Sequence, residues 1–446
     1  MEPYVTEAID FALTNGLIKY NPQFKLTHAP FCLSPHAIQP EMLEFLVAST
    51  PVFNELMIKV GSDRELLEET LGPVARTDRF IGSLLDIYRK TEISHHLQIS
   101  RNDFLLSING SQAGEPKQVE FNTISNSFLY LTQKMYQLHK YMENHMCCRG
   151  TLSENNTLND SVAMMAEIVR YYDVEDACVL MVVQHAEQNL FDQRGIEYKL
   201  RQEYGIVTIR KTLEEIAESA SIRDGHLWID GRVMALTYFR AGYTPADYAA
   251  EKAWEGRVVI ENSSTVKCPS VGMQLAGAKK VQQVLARPRM LERYLSESQA
   301  SDLSRTFAGM YDLDESVEGQ LAGELAIRNP DRYVLKPQRE GGGNNLYDQE
   351  MVKAIQSMSM DEQKAYVLME RIMTPQEQSV LVVDHVSEEA STVSEIGRYG
   401  VCFFDGQSIK INKDSGYLVR TKAADQNEGG VCAGYACLNS LCVEAP

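Results

Sequence analysis

The sequence lacks any apolar stretch of the roughly 18 residues that a membrane-spanning helix needs. Its longest apolar run goes from about Ala177 to Val183. Its nine cysteines show neither the paired spacing of a zinc ribbon nor a redox Cys-x-x-Cys. The neighbours Cys147 and Cys148 cannot easily bridge to each other, so reduced, mostly structural thiols are expected. No Cys-His or Ser-His-Asp pattern offers a side-chain nucleophile with its base. Basic residues are outnumbered: 43 Lys and Arg stand against 61 Asp and Glu, for a net charge of −18. No domain-scale basic surface for nucleic acid follows from that balance, and an anionic ligand would have to be held by local cations. The opening Met1-Glu2-Pro3-Tyr4-Val5-Thr6-Glu7 lacks the basic segment and apolar core of a signal peptide, which gives an expectation of cytoplasmic residence. No internal repeat or low-complexity tract is visible.

What is present is the composition of an ordinary folded protein. A chain of 446 residues, 44% hydrophobic and 23% charged, suits two or three domains. Residues 1 to about 170 read as mostly helical, with Phe80, Ile81, Leu84, Leu85 and Tyr88 forming the apolar face of a helix over Thr77 to Lys90. A strand is expected near Gln118 to Thr123. The apolar run 177–183, a helical stretch from Leu190 to Tyr204 and a strand at Ile206 to Ile209 make a βαβ unit, the mark of a parallel sheet covered on both faces. Hairpins are expected at His226 to Tyr238 around Asp230-Gly231, and from Ser394 to Lys413 around Asp405-Gly406. A separate strand carrying Arg420 and Lys422 follows, then the small-residue loop 428–434.

The most telling segment is Tyr333 to Asp348, Tyr-Val-Leu-Lys-Pro-Gln-Arg-Glu-Gly-Gly-Gly-Asn-Asn-Leu-Tyr-Asp. Three successive glycines lose more backbone entropy on ordering than any other triplet, and a bound polyphosphate is a good reason to order them. Glycine lets main-chain N–H groups converge on phosphate oxygens, Lys336 adds a point charge, and Glu340 can hold the metal that travels with ATP. No Gly-Lys-Ser/Thr closes the segment, so it is not a Walker loop. A plain glycine-rich surface turn is the alternative.

Other residues gain weight in combination. Glu120 and Asn122, two apart on a strand, share a face and with Glu340 make an all-oxygen set suited to Mg²⁺. Arg101 opens an Arg-Asn-Asp-Phe turn ahead of that strand and could clamp a phosphoryl group. Glu187, Asn189 and Gln193 follow one strand end, and Arg240 and Tyr243 another; ligands bind beyond the carboxyl ends of strands in open parallel sheets. Of Lys279 and Lys280, one can face a cleft while the other faces water. The run Val367 to Ile372 reads as a strand whose exit could line an adenine pocket; core strand is the plainer reading.

These motifs run in order through the chain: His28-Ala-Pro-Phe31, Glu120-Phe-Asn-Thr-Ile-Ser125, Asn189-Leu-Phe-Asp-Gln-Arg194, Lys267-Cys-Pro269, Gln274-Leu-Ala-Gly277, Lys336 to Tyr347 and Leu418-Val-Arg-Thr-Lys-Ala423. Together they resemble the eukaryotic-type glutathione synthetases of the ATP-grasp superfamily. The resemblance implies an α/β ATP-grasp fold with an inserted parallel-sheet substrate-binding domain and a mobile lid. On that plan residues 1–170 and 391–446 form the main domain, 171–290 the inserted βαβ domain and 291–390 the lid region. It implies ATP-dependent ligation of γ-glutamylcysteine to glycine through an acyl phosphate, by a homodimer, with no nucleic-acid or membrane partner.

The same resemblance assigns residues. Mg²⁺ falls to Glu120, Asn122 and Glu340. ATP falls to Glu120, Lys279, Lys336, Glu340, Gly341, Gly342, Gly343, Asn344, Asn345, Tyr347, Met369, Glu370, Arg371, Ile372, Glu395, Lys422 and Glu428. The dipeptide and glycine fall to Arg101, Ser125, Ser127, Glu187, Asn189, Gln193, Arg240, Tyr243, Arg420, Val431 and Cys432, with Arg101 and Arg420 at the reaction centre. The chain also departs from the family pattern. Leu129-Tyr130 stands where Gly-Gly is usual, Asp348 where glycine follows Tyr347, Arg371 in place of a lysine, and Cys432 in place of alanine. Cys432 is still small, so glycine is the expected acceptor, with β-alanine as the alternative; a nucleotide-binding relative without catalysis is the reading from a different class.

Overall fold

A computed structural model describes residues 2–21, 23–92, 95–109, 112–145, 150–339, 343–427, 429–431, 434 and 436–445. Glu340, Gly341, Gly342, Glu428 and Cys432, all candidate site residues, lie outside that set. The fold is mixed α/β, organised on a sheet of 13 strands. In chain order these are β1 (Phe31–Cys32), β2 (His96–Asn109), β3 (Gln112–Asn122), β4 (Cys178–Val182), β5 (Thr208–Lys211), β6 (Ser221–Arg223) and β7 (His226–Ile229). They continue with β8 (Arg232–Phe239), β9 (Val266–Cys268), β10 (Glu377–Val383), β11 (Val386–Phe404), β12 (Ile409–Ala423) and β13 (Cys437–Asn439).

The βαβ reading holds. β4 is buried throughout, its helix covers Leu190–Tyr204, and β5 pairs with it in parallel two residues later than expected. A continuous apolar run is what a strand buried on both faces requires. The hairpin of β7 and β8 turns at Asp230 and Gly231, both with positive φ, the backbone that matches the twist of paired strands. β8 and β9 then run parallel to one another, and β9 delivers the sheet to β2.

β2 is the main departure from expectation: Arg101 does not open a turn but lies inside a strand of 14 residues. Period-two alternation is hidden there because both faces carry buried polar groups. Asn102 and Gln118 hydrogen-bond on one side while Arg101 and Asp103 pair on the other. The second hairpin is also longer than expected, since β12 continues unbroken through Arg420 and Lys422 and absorbs the strand expected separately. β11 pairs with β2 along one edge and β12 along the other. β10, β1 and β13 link β11 back to β12, so this part of the sheet closes on itself.

A second sheet of four strands stands apart, ordered Met310–Tyr311, Val367–Glu370, Tyr333–Lys336 and Leu346–Tyr347. Its own core gathers Leu313, Ala322, Ala326, Leu335, Met351, Ile355 and Leu368. The expected amphipathic helix is Arg79–Lys90, capped by Asp78 and buried along Phe80, Ile81, Leu84, Leu85 and Tyr88. Among the described residues five cysteines are free and buried, but Cys442 is disulfide-bonded, against the expectation of reduced, mostly structural thiols.

Leu129-Tyr130 is accommodated rather than disruptive. Leu129 is buried at the start of the helix Leu129–Tyr141, and the Tyr130 ring packs on Gly195 with its hydroxyl against Gly16. A Cβ on Gly195 would sit 2.2 Å from the ring and 2.8 Å from the Tyr130 Cβ. Gly195→Ala should gain about 1 kcal/mol in helix propensity and lose about 2–3 kcal/mol to overpacking. A net fall in thermal midpoint is expected, smaller when Tyr130→Ala is combined with it.

Candidate active site

Four residues of β2 and β3 share one face: in register, Arg101 opposes Asn122 and Asp103 opposes Glu120. A bulge ends this regular stretch, because Asp103 pairs with Glu120 while the next residue, Phe104, pairs with Gln118, leaving Val119 extra. Bulges re-aim side chains next to functional sites. Here the carbonyl of Val119 accepts a hydrogen bond from Lys336 Nζ at 3.0 Å, which ties the second sheet to the first.

Asp103, wholly buried, is the centre of the cluster and was missed in the sequence. It takes two bonds from Arg101, Nε at 2.6 Å and Nη2 at 2.8 Å. Asn122 Nδ2 donates to it at 2.9 Å and Arg420 Nη2 at 3.0 Å. The signal available was its position two residues after Arg101, which on a strand means the same face. Gly397 on β11 leaves the room: a Cβ there would fall 2.5 Å from Asp103 Oδ1 and 2.8 Å from Arg101 Cδ.

Arg420 also donates to Glu395, its partner in register across β11 and β12. Glu120 meets Lys279 at 3.3 Å, and Lys279 in turn donates to the Arg339 carbonyl at 2.8 Å. Lys280 does not face water as the sequence suggested. It is buried, with Nζ 2.7 Å from Asp312, because the second sheet packs where solvent was expected.

The charges within the cluster set each other. Burial alone would raise the Glu120 carboxyl, but Lys279, Lys336, Arg420 and Arg101 bring it down to about 2. Burial lowers the Arg101 guanidinium, yet the charge and hydrogen bonds of Asp103 outweigh it and raise that pKa well above its usual value. Arg420 is raised against burial in the same way, by Glu395 and Asp103. Glu395 is raised, chiefly by burial, with Asp103 and Glu120 adding to it and Arg420 opposing.

A second group lies at the carboxyl ends of β4 and β8. Arg240 Nη2 donates to Ser127 Oγ at 2.7 Å. Glu187 accepts from the Asn189 main chain at 2.7 Å and from Gln193 Nε2 at 2.5 Å. Tyr243 OH lies 3.5 Å from Gln184 Nε2, and Ser125 Oγ donates to the Phe239 carbonyl at 3.3 Å. Ser125 and Phe128 both have positive φ, so the turn between them is held from outside. Asp192, also missed in the sequence, holds it by accepting from the main chain of Phe128, Tyr130 and Leu131. Tyr399 joins the two groups: Arg101 lies over its ring and its hydroxyl donates to the Ser127 carbonyl. Arg240 Nε and Nη1 and both side-chain polar atoms of Asn189 are buried and find no hydrogen-bond partner among the described residues.

The third group is on the second sheet and the end of β12. Asn345 Nδ2 lies 3.3 Å from Tyr347 OH, and Tyr347 and Lys422 both donate to the Asn427 carbonyl. Met369 is buried in its strand, while the neighbouring Glu370 is exposed and accepts from Tyr311 OH at 2.7 Å. Arg371 and Ile372 follow the strand end, and Gly343 and Asn344 are exposed. Val431 is buried, its carbonyl 3.4 Å from Lys19 Nζ. Among the described residues no group of three or more His, Cys, Asp and Glu side chains is placed to hold a metal. Glu120 is nevertheless an ionised oxygen donor, and Asn122, with its NH₂ engaged by Asp103, presents its Oδ1 elsewhere. That pair fits a hard cation completing its shell with other oxygens.

Buried arginines and lysines set among carboxylates form a cluster suited to anionic groups. A family model described as eukaryotic glutathione synthase, ATP binding domain, matches residues 1–443. The chain is 37% identical to human glutathione synthetase, covering 99% of this chain and 96% of that one, and 35% identical to the Dictyostelium discoideum enzyme, covering 98% of each. It is 37% identical to the chloroplastic glutathione synthetase of Solanum lycopersicum over 94% of this chain and 78% of that one. Among solved structures, a glutathione synthetase-like effector from Globodera pallida, in its apo form, superposes with a TM-score of 0.79 at 18% identity, over 99% of this chain and 96% of that one, a likeness of fold. The chain is an ATP-dependent ligase. It belongs to the eukaryotic glutathione synthase family.

Asp103→Asn leaves Arg101 and Arg420 without their shared anion, and ADP release under ligase conditions should fall by about 100-fold or more. Glu120 has its folded pKa below the unfolded value of about 4.3, so its stabilising interaction is full above that pH and is lost as pH falls toward about 2. In melting experiments the advantage of the wild-type protein over Glu120→Gln should be constant near neutral pH and shrink only below about pH 4.5.

Proposed function

We propose that the enzyme joins γ-glutamylcysteine to glycine, using ATP, within an ATP-grasp architecture whose second sheet serves as the lid. The observation that carries the substrate reading is the set of buried, unpartnered polar atoms on Arg240 and Asn189. A buried polar group left unpaired is costly, and a ligand bearing carboxylate and amino groups would satisfy these. Glu187, Gln193, Ser125, Ser127 and Tyr243 surround the same end of the sheet and would read the γ-glutamyl portion. Arg101, held rigidly by Asp103, would hold the cysteinyl carboxylate, with Arg420 beside it. Val431 and Cys432 belong to the loop proposed to receive glycine.

In the proposed reaction the cysteinyl carboxylate takes the γ-phosphoryl group of ATP, and the glycine amine then attacks the acyl phosphate to form the amide and release phosphate. Both steps crowd anions together, so the chain's work is charge neutralisation and positioning. Lys279, Lys336 and Lys422 would meet phosphate oxygens, and Glu395, Asn345, Tyr347, Met369, Glu370, Arg371 and Ile372 would frame the remainder of the nucleotide, with Gly341, Gly342, Gly343, Asn344 and Glu428 proposed to cover it. Glu120 and Asn122, with Glu340, would hold Mg²⁺. Bound there, the ion would neutralise phosphate charge. Acyl phosphate is lost if water enters, which is the reason for a lid over this site. We further propose a homodimer in the cytoplasm.

Purified protein with Mg²⁺, ATP, γ-glutamylcysteine and glycine should release ADP and phosphate, and release should stop when either amino-acid substrate is withheld. Binding of ATP without release under the complete mixture would sink the ligase reading. Glu340→Ala should keep the wild-type melting profile while turnover drops by orders of magnitude at saturating Mg²⁺; a near-normal rate would show that the metal is held elsewhere.

A further inference from the structure

Two of the departures from the family pattern, Asp348 and Arg371, meet each other. Arg371 Nη1 lies 3.2 Å from Asp348 Oδ1. Its Nη2 donates to Asn427 Oδ1 at 2.7 Å, and its guanidinium lies over the Tyr347 ring, 5.5 Å from the centroid. Asn427 is a meeting point in its own right, since its main-chain carbonyl accepts from Lys422 Nζ at 2.6 Å and Tyr347 OH at 3.4 Å. Three segments converge: the end of the glycine-rich stretch, the exit of the Val367–Glu370 strand, and the turn after β12. The first two belong to the second sheet and the third to the main sheet.

An exposed ion pair by itself contributes little, and here Asp348 is 48% and Arg371 29% exposed. Arg371 is more than half of such a pair. A planar guanidinium engaged by a carboxylate, an amide oxygen and an aromatic face is fixed in position. Its main chain is anchored as well, by the bond from its N–H to the Arg332 carbonyl at 2.8 Å. Asp348 keeps a left-handed backbone, φ +47, which glycine would adopt freely and aspartate tolerates better than most residues. The acid therefore sits at a conformation that glycine favours, and its carboxylate is used on Arg371.

We propose that Asp348, Arg371 and Asn427 form a clasp that holds the second sheet against the main sheet, and that opening this clasp limits release of the nucleoside diphosphate product. The proposal rests on the nucleotide-site reading given above. Asn427 acts in it as a positioning residue, and Arg371 does so besides facing the nucleotide: together they set where Tyr347 and Lys422 stand and how long the second sheet stays against the main sheet. No substrate atom need touch Asn427.

Dissociation of N-methylanthraniloyl-ADP, chased with excess ADP in the presence of Mg²⁺ and followed by stopped-flow fluorescence, tests the clasp. Asn427→Ala and Asp348→Gly should each release the probe roughly three- to tenfold faster, the factor that one ordinary, partly exposed hydrogen bond is worth. The double variant should be no faster than the faster single one, because both act through Arg371. Asn427→Asp keeps an acceptor for Arg371 and should release at the wild-type rate or more slowly. Wild-type rates in both single variants, or single effects that multiply in the double variant, would overturn the clasp alone. Failure of the wild-type protein to bind the probe would overturn the nucleotide-site reading, and the clasp with it.

Discussion

A single buried carboxylate organises the candidate site. Asp103 is wholly inaccessible, and an isolated charge there would be strongly unfavourable. Arg101, Arg420 and Asn122 all turn toward it. That requirement fixes the rotamers of two arginines and orients an amide before any ligand arrives. It also explains why β2 carries charges on a buried face, and why β11 has a glycine at 397, where any side chain would strike the pair.

From this cluster the order spreads outward through contacts of different kinds. Tyr399 carries it to the turn at Ser127, where Asp192 caps the helix Leu129–Tyr141 and Arg240 reaches Ser127 Oγ. The bulge at Val119 carries it to Lys336, and the Glu120–Lys279 pair to the helix Lys279–Leu285. Each link ends on a residue of a different element, so the site is assembled by packing of the whole sheet. Preorganised charges of this kind need no rearrangement as charge shifts between substrates, which is where such sites gain most of their effect.

Much of the fold was legible because local rules were obeyed. The all-apolar run of β4, the helix Leu190–Tyr204 and the Asp230-Gly231 turn follow from burial on both faces, periodicity and backbone handedness. β2 was not legible, since alternation fails when both faces of a strand bury polar groups. Lys280 was misjudged for a related reason: nothing local says that another sheet covers its helix, yet it is buried against Asp312. Among the site residues, Glu120, Asn122, Arg240 and Asn189 announced themselves through ordered motifs, whereas Asp103, Asp192, Gly397 and Asn427 act through partners distant in the chain.

The βαβ unit, the hairpin turns and the candidate residues for phosphate, metal and carboxylate were determined by the sequence itself, because they depend on composition, spacing and motifs that survive in one dimension. Which charges neutralise which was decided only in three dimensions. Asp103 meets Arg420 across more than three hundred residues of chain, and Asp348 finds Arg371 only because their strands share a sheet with the Tyr333–Lys336 strand. Pairing energies depend on distance and burial, and neither exists until the sheet has closed.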